Sequence, residues 1–346
     1  MSAADPLQIQ KAREVFFARK GLPVDQIGIL RSWIRCADMG LDERAPPAID
    51  APSASEIRLL HEKHEALRRI SRPELDALYS EAREISGIVI LTNARGEILD
   101  AVGDPGFADK AAQVALRPGI LWSEDGTGTN AIGTALAERR SVVVNGGEHY
   151  FQSHQVLTCS ATPIIDPRGA TIGLLDISVP ASQQSGHVLG MVRMAVEQIE
   201  HRLFRNGFDG CRTLRFQTDP NLLGAAREGI LVLKDGIVVA ANRRGLSLVG
   251  RTWEGLDQFH VEEIFDTRAA HLASGRLKAQ DGREFFAQFE GESMGPALST
   301  APQQSLEDIE LSSIRQALEA HGGNVSAAAR HLGIHRSTIY RRIQGI

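Results

Sequence analysis

Four times this chain writes two apolar runs on either side of a short polar turn. "GIVILTNARGEILDAVG" begins at Gly87 and turns at "NARG"; "SATPIIDPRGATIGLLDIS" begins at Ser160 and turns at "DPRG". "EGILVLKDGIVVAANRRG" begins at Glu228 and turns at "KDG", and "GRLKAQDGREFFAQFEG" begins at Gly275 and turns at "DG". Turns this short join antiparallel strands, because parallel neighbours need a crossover of about a dozen residues or more. "RSVVVNGGEHY" supplies one further strand, "NAIGTALAER" is helical, and Val188–Phe204 spells a long apolar-rich helix. Strands, helix and strands, flanked by long helices, define an α+β multidomain chain.

Breaks in composition divide it. Residues 1–52 read as a helical N-terminal segment that ends in "ERAPPAIDAPSAS". Ser55 is placed to cap a helix over 56–70, whose Ile57, Leu60, His64 and Leu67 make one stripe. Residues 53–206 hold the first unit with its flanking helices, and residues 218–292 repeat the pattern on a smaller scale. A linker over 293–304, within "SMGPALSTAPQQS", leads to an all-helical stretch at 305–346.

The net charge is -5, so nucleic-acid binding would need a local patch rather than a polycationic chain. Cys36, Cys159 and Cys211 are sparse and odd in number, which argues against a disulfide framework and fits a reducing cytosol. No N-terminal apolar run resembles a signal peptide, and no stretch reaches the roughly 18 apolar residues of a membrane span. The expectation is a cytoplasmic protein without membrane contact.

The local patch lies in "GGNVSAAARHLGIHRSTIYRRIQGI". Asn324 or Ser326 can cap a helix reaching Leu332, Gly333 follows where a helix ends, and Ser337 can cap a last helix over 338–343. Helix, tight turn and helix form a helix-turn-helix. Ala328, Ala329, Leu332, Ile334, Ile339 and Ile343 suit its core, the alanines allowing a close crossing. Arg330, His335, Arg336, Ser337, Thr338, Tyr340, Arg341 and Arg342 then face outward. Residues 322–346 carry four arginines and no acid, whereas 305–320 carry Glu307, Asp308, Glu310 and Glu319 against Arg315. Cationic charge is thus concentrated on the helix pair that could enter a major groove, where arginines neutralise phosphates and bind guanine edges.

"DGTGTNAIGTALAE" invites a phosphate-loop reading, but a Walker loop needs a lysine and none stands between Lys110 and Lys234. A dinucleotide fingerprint needs a strand just before the glycines, where this chain has "LWSED". The segment reads instead as a turn over 125–129, a cap at Thr129 or Asn130, and a Gly133 that lets the helix lie close to a sheet. His149, His154 and Cys159 stand five apart and could hold a transition metal only on a bent loop; no metal is expected. Cys159 lies in "TCSATPI", a buried strand where a thiol is inert.

"GGNVSAAARHLGIHRSTIYRRI" resembles the Fis-type DNA-binding domain at the C-terminus of many bacterial activators. That resemblance implies double-stranded DNA as partner, with His335, Arg336 and Tyr340 reading bases and Thr338, Arg341 and Arg342 holding phosphates. "ILWSEDGTGTNAIGTALAERRSVVVNGGEHYFQSHQVLTCSATPIIDPRGATIGLLDIS" is similar to the GAF sensory domain of the acetoin-catabolism-regulator type of bacterial activator, and "ILRSWIRCADMGLDE" to that group's N-terminal signature. In GAF folds the ligand lies between the sheet and a loop-plus-helix, which implies Trp122, Asp125, Thr127, Asn130 and Thr134 as effector-binding residues. "REGILVLKDGIVVAANRRGLSLVG" resembles the opening of a PAS domain, with Asn242 at a position such domains use.

In the resembled activators a large sigma-54 ATPase domain stands between sensor and DNA-binding domain; this chain has neither a "GxxxxGK" loop nor "GAFTGA". The implied protein is a homodimeric transcriptional regulator that senses a small-molecule effector, an alcohol or hydroxyketone. It would act without ATP, by recruiting RNA polymerase, blocking a site or co-operating with a full-length relative. An enzyme using His149 or His154 as base lacks any nucleophile–base spacing, so neither catalysis nor a cofactor is expected. The alternative is a signalling adaptor whose GAF domain binds a protein partner, separable by the absence of any ligand-dependent thermal shift.

Overall fold

The computed structural model describes residues 6–18, 29–45, 49–103, 115–183, 186–205, 207–266, 275–291, 321, 324–332 and 339. Backbone contacts divide the chain into two compact units, Met1–Glu292 and Ser293–Ile346.

The first unit opens with α1 (Pro6–Phe17) and α2 (Leu30–Asp38), then α3 (Ala54–Lys63) and α4 (Glu65–Glu84). Next come β1 (Ile88–Asn93), β2 (Ile98–Gly103), the single turn α5 (Glu124–Thr127), α6 (Ala131–Glu138), β3 (Val142–Asn145), β4 (Leu157–Ile165), β5 (Thr171–Pro180) and α7 (Val188–Arg202). The strands form one sheet in the order β2-β1-β5-β4-β3 with every neighbour antiparallel, as the hairpins "NARG" and "DPRG" require.

Side chains alternate across it. One face sets Ile90, Val144, Cys159, Ala161 and Leu174 against Trp33 and Cys36 of α2, Ile132 and Ala135 of α6, and Trp122 and Tyr150 from the connecting loops. The other sets Val89, Leu91, Leu175, Ile177 and Val179 against Leu75 and Leu78 of α4 and Val192, Val196 and Ile199 of α7. A sheet covered on both faces explains why β4 is buried along its whole length and reads as a continuous rather than an alternating apolar run.

The helical entry differs from the expectation at two points. The cap of α3 is Ser53, whose side chain accepts from the Glu56 amide while Glu56 Oε2 accepts the Ser53 amide at 2.7 Å, a capping box that Ser55 does not make. The helix then breaks at His64, and α4 continues to Glu84 through Pro73. Burial of Leu67, Ser71, Leu75, Leu78 and Ala82 against the sheet carries it that far.

A second antiparallel sheet follows in the order β8-β7-β6-β11-β10-β9. Its strands are β6 (Arg212–Gln217), β7 (Gly229–Lys234), β8 (Ile237–Ala241), β9 (Phe265–Asp266), β10 (Arg276–Ala279) and β11 (Glu284–Glu290), with α8 (Arg243–Val249) after β8. The two hairpins are those turning at "KDG" and "DG". The strand joining them, β6, reads as polar because two arginines stand in "RTLRFQ", yet Leu214 and Phe216 are fully buried and Arg215 is paired with Glu228 and Glu290. Phe216, Phe265 and Phe285 form an edge-to-face triangle with centroids 5.2–5.7 Å apart at the heart of this core. Asn242 fastens the fold locally: its Oδ1 accepts from Ile230 and Gly245 amides at 2.8 and 2.7 Å, and its Nδ2 donates to the Glu228 carbonyl at 2.8 Å.

In the second unit, α9 (Val325–Leu332) is capped by Asn324, whose Oδ1 accepts from the Ala327 amide at 3.1 Å. Ala328, Ala329 and Ile339 are buried. His335, Arg336, Ser337, Thr338, Tyr340, Arg341 and Arg342 lie outside the described residues, as do Ile334 and Ile343.

Candidate functional site

The glycine-rich segment lies across the α2 and α6 side of the first sheet. Gly128 takes φ 64°, and a Cβ there would stand 2.7 Å from Tyr150 Cβ, so only glycine fits. Asn130 is the cap of α6: Oδ1 accepts from the Gly133 amide at 2.8 Å, and Nδ2 donates to the Gly128 carbonyl at 2.8 Å and Thr127 Oγ1 at 3.0 Å. Gly133 has a different neighbour from the one expected. A Cβ on it would meet the Glu124 amide nitrogen at 2.8 Å, so its smallness serves approach to the preceding turn, not to a sheet.

The five candidate effector residues separate by environment. Trp122, Thr127, Asn130 and Thr134 are buried and Asp125 is exposed, accepting from Ser123 Oγ. Thr127 Oγ1 donates to the Ser123 carbonyl at 2.8 Å and Thr134 Oγ1 to Glu124 Oε1 at 2.8 Å, so these polar groups hold the loop together. Trp122 donates Nε1–H to the Ala115 carbonyl at 3.2 Å and stacks on His154, with centroids 5.0 Å apart and planes at 28°.

The organising group of the loop is Glu124, which carries no motif and was not singled out from the sequence. Arg35 of α2 clamps it with two parallel bonds of 2.6 and 2.7 Å, and Ser32 Oγ lies 2.5 Å from its Oε1. Burial pushes the Glu124 carboxyl up, but the bonds from Arg35, Ser32 and Thr134 outweigh it and hold it below the usual range. The N-terminal helices also pin the next loop. Arg13 donates to the carbonyls of Gly147, His149 and Tyr150 and to Glu43, and Trp33 Nε1 donates to the Glu148 carbonyl at 2.7 Å.

That pinned loop bends through two short 3-10 turns, Gly146–Glu148 and Gln152–His154, and this is what brings residues five apart to one side. His149 Nδ1 lies 3.0 Å from the Gly146 carbonyl and its Nε2 3.5 Å from Cys159 Sγ. The rings of His149 and His154 are 6.4 Å apart, centre to centre. On the adjoining strand, Ser178 Oγ lies 3.0 Å from Cys159 Sγ and donates to Asp176 Oδ2 at 2.7 Å. Burial pushes His149 down to about 3, His154 down to about 4 and Asp176 up to about 7, so at neutral pH both imidazoles are uncharged. Burial also raises the Cys159 thiol well above its ordinary value, which leaves it unreactive. Among the described residues no group of three His, Cys, Asp or Glu side chains is placed to hold a metal ion, nor is any helix long and apolar enough to cross a membrane.

A sandwiched antiparallel sheet with a capped glycine loop and a buried polar row on one face, followed by a second antiparallel sheet, defines a modular α+β chain. The chain belongs to the family described as MimR, N-terminal domain, which matches residues 5–201, and residues 305–344 match Bacterial regulatory protein, Fis family. The acetoin catabolism regulatory protein of Cupriavidus necator is 29% identical over 255 residues, covering 68% of this chain and 38% of that protein. The propane 2-monooxygenase operon transcriptional activator MimR of Mycolicibacterium smegmatis is 30% identical over 291 residues, covering 79% and 47%. The chain thus spans less than half the length of these two relatives. Among solved structures, the E. coli DhaR(N)-DhaL complex aligns with a TM-score of 0.49 at 13% identity, covering 75% of this chain and 91% of that chain.

Proposed function

We propose that this chain is a ligand-responsive, sequence-specific DNA-binding transcriptional regulator. The observation that carries the reading is the presence on one chain of the MimR-type sensory domain and the Fis-family match. In this reading residues 53–206, with the helical segment 1–52, are the GAF-like sensor; 218–292 are a PAS-like relay; 293–304 are a linker; and 305–346 bind DNA as a homodimer. Arg336, His335 and Tyr340 read bases, and Thr338, Arg341 and Arg342 hold phosphates around the Ser337 cap. Pairing doubles the contacts that one short recognition helix makes, so the operator is near-palindromic. The effector is a small alcohol or hydroxyketone, a class that agrees with the printed name of the acetoin regulator.

A route out of the sensor runs through α7 and the β4–β5 turn. Glu200 near the end of α7 accepts from the Ile165 amide at 2.8 Å and from Arg243 of α8 at 2.7 Å. The Ala241 amide donates to the Pro167 carbonyl at 2.9 Å, and Gly169 lies against Trp253. An effector that prefers one packing of α7 on the first sheet would shift the second sheet with it. No "GxxxxGK" loop occurs in the sequence, so the switch is a change in DNA occupancy rather than ATP-driven promoter opening.

The test is selection of bound duplexes from a random pool by the full chain, with and without acetoin. Recovery of one near-palindromic motif whose occupancy changes with the effector supports the reading. Weak attachment indifferent to sequence at moderate salt overturns it.

A further inference from the structure

The inner face of the first sheet is closed by the beginning of the chain. Phe16 and Phe17 of α1 and Trp33 and Cys36 of α2 pack on the same core as Cys159 of β4. Yet α1 is thinly held. Among its described side chains Ile9 and Arg13 alone are buried, and the others are half-buried or exposed. Polar bonds do most of the fastening. The Arg13 guanidinium donates to the carbonyls of Gly147, His149 and Tyr150 and pairs with Glu43, just beyond α2. Trp33 donates to the Glu148 carbonyl, the Tyr150 hydroxyl donates to the Leu41 carbonyl at 2.9 Å, and the Gln152 amide donates to the Glu43 carbonyl at 3.1 Å. A second attachment lies on α2 itself, where Ser32 and Arg35 hold Glu124.

We propose that α1 and α2 form a strap that opens as one unit, releasing both attachments together and uncovering the inner face of the first sheet while the rest of the domain stays folded.

Three observations support a joint opening. The rings of Phe16 and Phe17 stand 5.5 and 6.0 Å from that of Trp33, so the two helices pack on each other as well as on the sheet. Glu43 ties them again, holding Arg13 through its carboxylate and the loop through its carbonyl. The opposite face of the sheet keeps a separate core with α4 and α7, which an opening on the α2 side leaves intact. Elements with few buried apolar side chains open below the global unfolding free energy. Released into water, the Arg13 guanidinium regains the hydration that burial removes, which lowers the cost of letting go.

The cysteines supply the probes. Cys159 lies beside His149, whose carbonyl Arg13 holds, and Cys36 Sγ lies 3.5 Å from Thr129 Oγ1 beside the Glu124 turn. Burial keeps both thiols unreactive while the strap is shut. Cys211 is partly exposed and belongs to neither attachment, so it serves as the reference.

Alkylation of the full chain by N-ethylmaleimide, read at each cysteine by mass spectrometry across a urea series, tests this. Cys211 should react first. Cys36 and Cys159 should follow with one common dependence on urea, shallower than that of global unfolding measured by circular dichroism. Arg13→Gln should speed both buried thiols by about tenfold or more and leave Cys211 unchanged. Arg35→Gln should speed Cys159 as well, though Arg35 holds Glu124 rather than the loop beside that thiol. Glu43→Gln is the milder variant should Arg13→Gln not fold, and the wild-type urea series decides the matter without either. Labelling of Cys36 and Cys159 only along the global unfolding curve overturns the strap. So does a pair of variants that each speed the neighbouring thiol alone, which would show two independent attachments.

Discussion

At single positions, the buried row makes stability depend on pH in two opposite senses. Asp176 titrates at about 7 in the fold against 3.8 in the open chain, so between those values the native state holds a proton that the unfolded state lacks. Its contribution is fully present below pH 3.8, declines as pH rises towards 7, and is lost above. Asp176→Asn cannot titrate; relative to it, wild type should lose about 2–3 kcal/mol between pH 5 and 8 in urea melts. A difference that stays flat with pH would refute this. His149 and His154 act the other way: neutral in the fold down to about 3 and 4, they stabilise above the ordinary 6.5 and the benefit drains away as pH falls below it. Gly128→Ala should destabilise by about 2 kcal/mol or more through its left-handed backbone and the clash with Tyr150, seen as a lower urea midpoint. The caps were legible as Thr129 or Asn130 and as Asn324 or Ser326, because a cap is a local bond to a backbone amide a few residues on; the structure uses Asn130 and Asn324. Glu124 was not, since its partners Ser32 and Arg35 come from a helix some ninety residues earlier in the chain.

Among the elements, α7 has two duties. One face closes the sensor core through Val192, Val196 and Ile199; its end reaches the second sheet through Glu200 and His201. Arg243→Met strips the Glu200 carboxylate of its charge partner where that carboxyl is only 7% exposed. The stability lost should be about 1–3 kcal/mol, with Glu200→Gln recovering part of it in the double variant. Additive losses in that cycle would show that the pair is not coupled. The hairpins and α6 were readable from turn residues and periodicity, whereas β6 was hidden because its pairing, with Arg215 held by Glu228 and Glu290, is what makes its arginines tolerable inside a sheet. The two-residue β9 has no periodicity to read at all.

For the molecule as a whole, the charge distribution carries the prediction. The chain is anionic overall, with net charge -5, while residues 322–346 hold four arginines and no acid, so under the proposed regulatory reading DNA contact should be confined to that end and should weaken steeply with salt. Arg336→Ala should cost about 1–3 kcal/mol on the selected motif and relax base preference at one position. Arg341→Ala should weaken every duplex alike and reduce the salt slope by about 1. Indistinguishable profiles for the two, in binding titrations across salt on matched and scrambled duplexes, would deny the division between base and phosphate contacts.

Turn chemistry, strand alternation and capping act over a few residues, so the linear text was enough to specify antiparallel hairpins, the long helix before the second sheet and a capped helix reaching Leu332. Which groups meet is a matter of strand register and loop bending over long separations. Five-residue spacing along an extended strand would have kept His149, His154 and Cys159 apart; the turns pinned by Arg13 and Trp33 bring His149 onto Cys159, and the β4–β5 register adds Ser178 and Asp176. No local pattern encodes that meeting, because the energy that enforces it is burial of the whole sheet between two layers of helices.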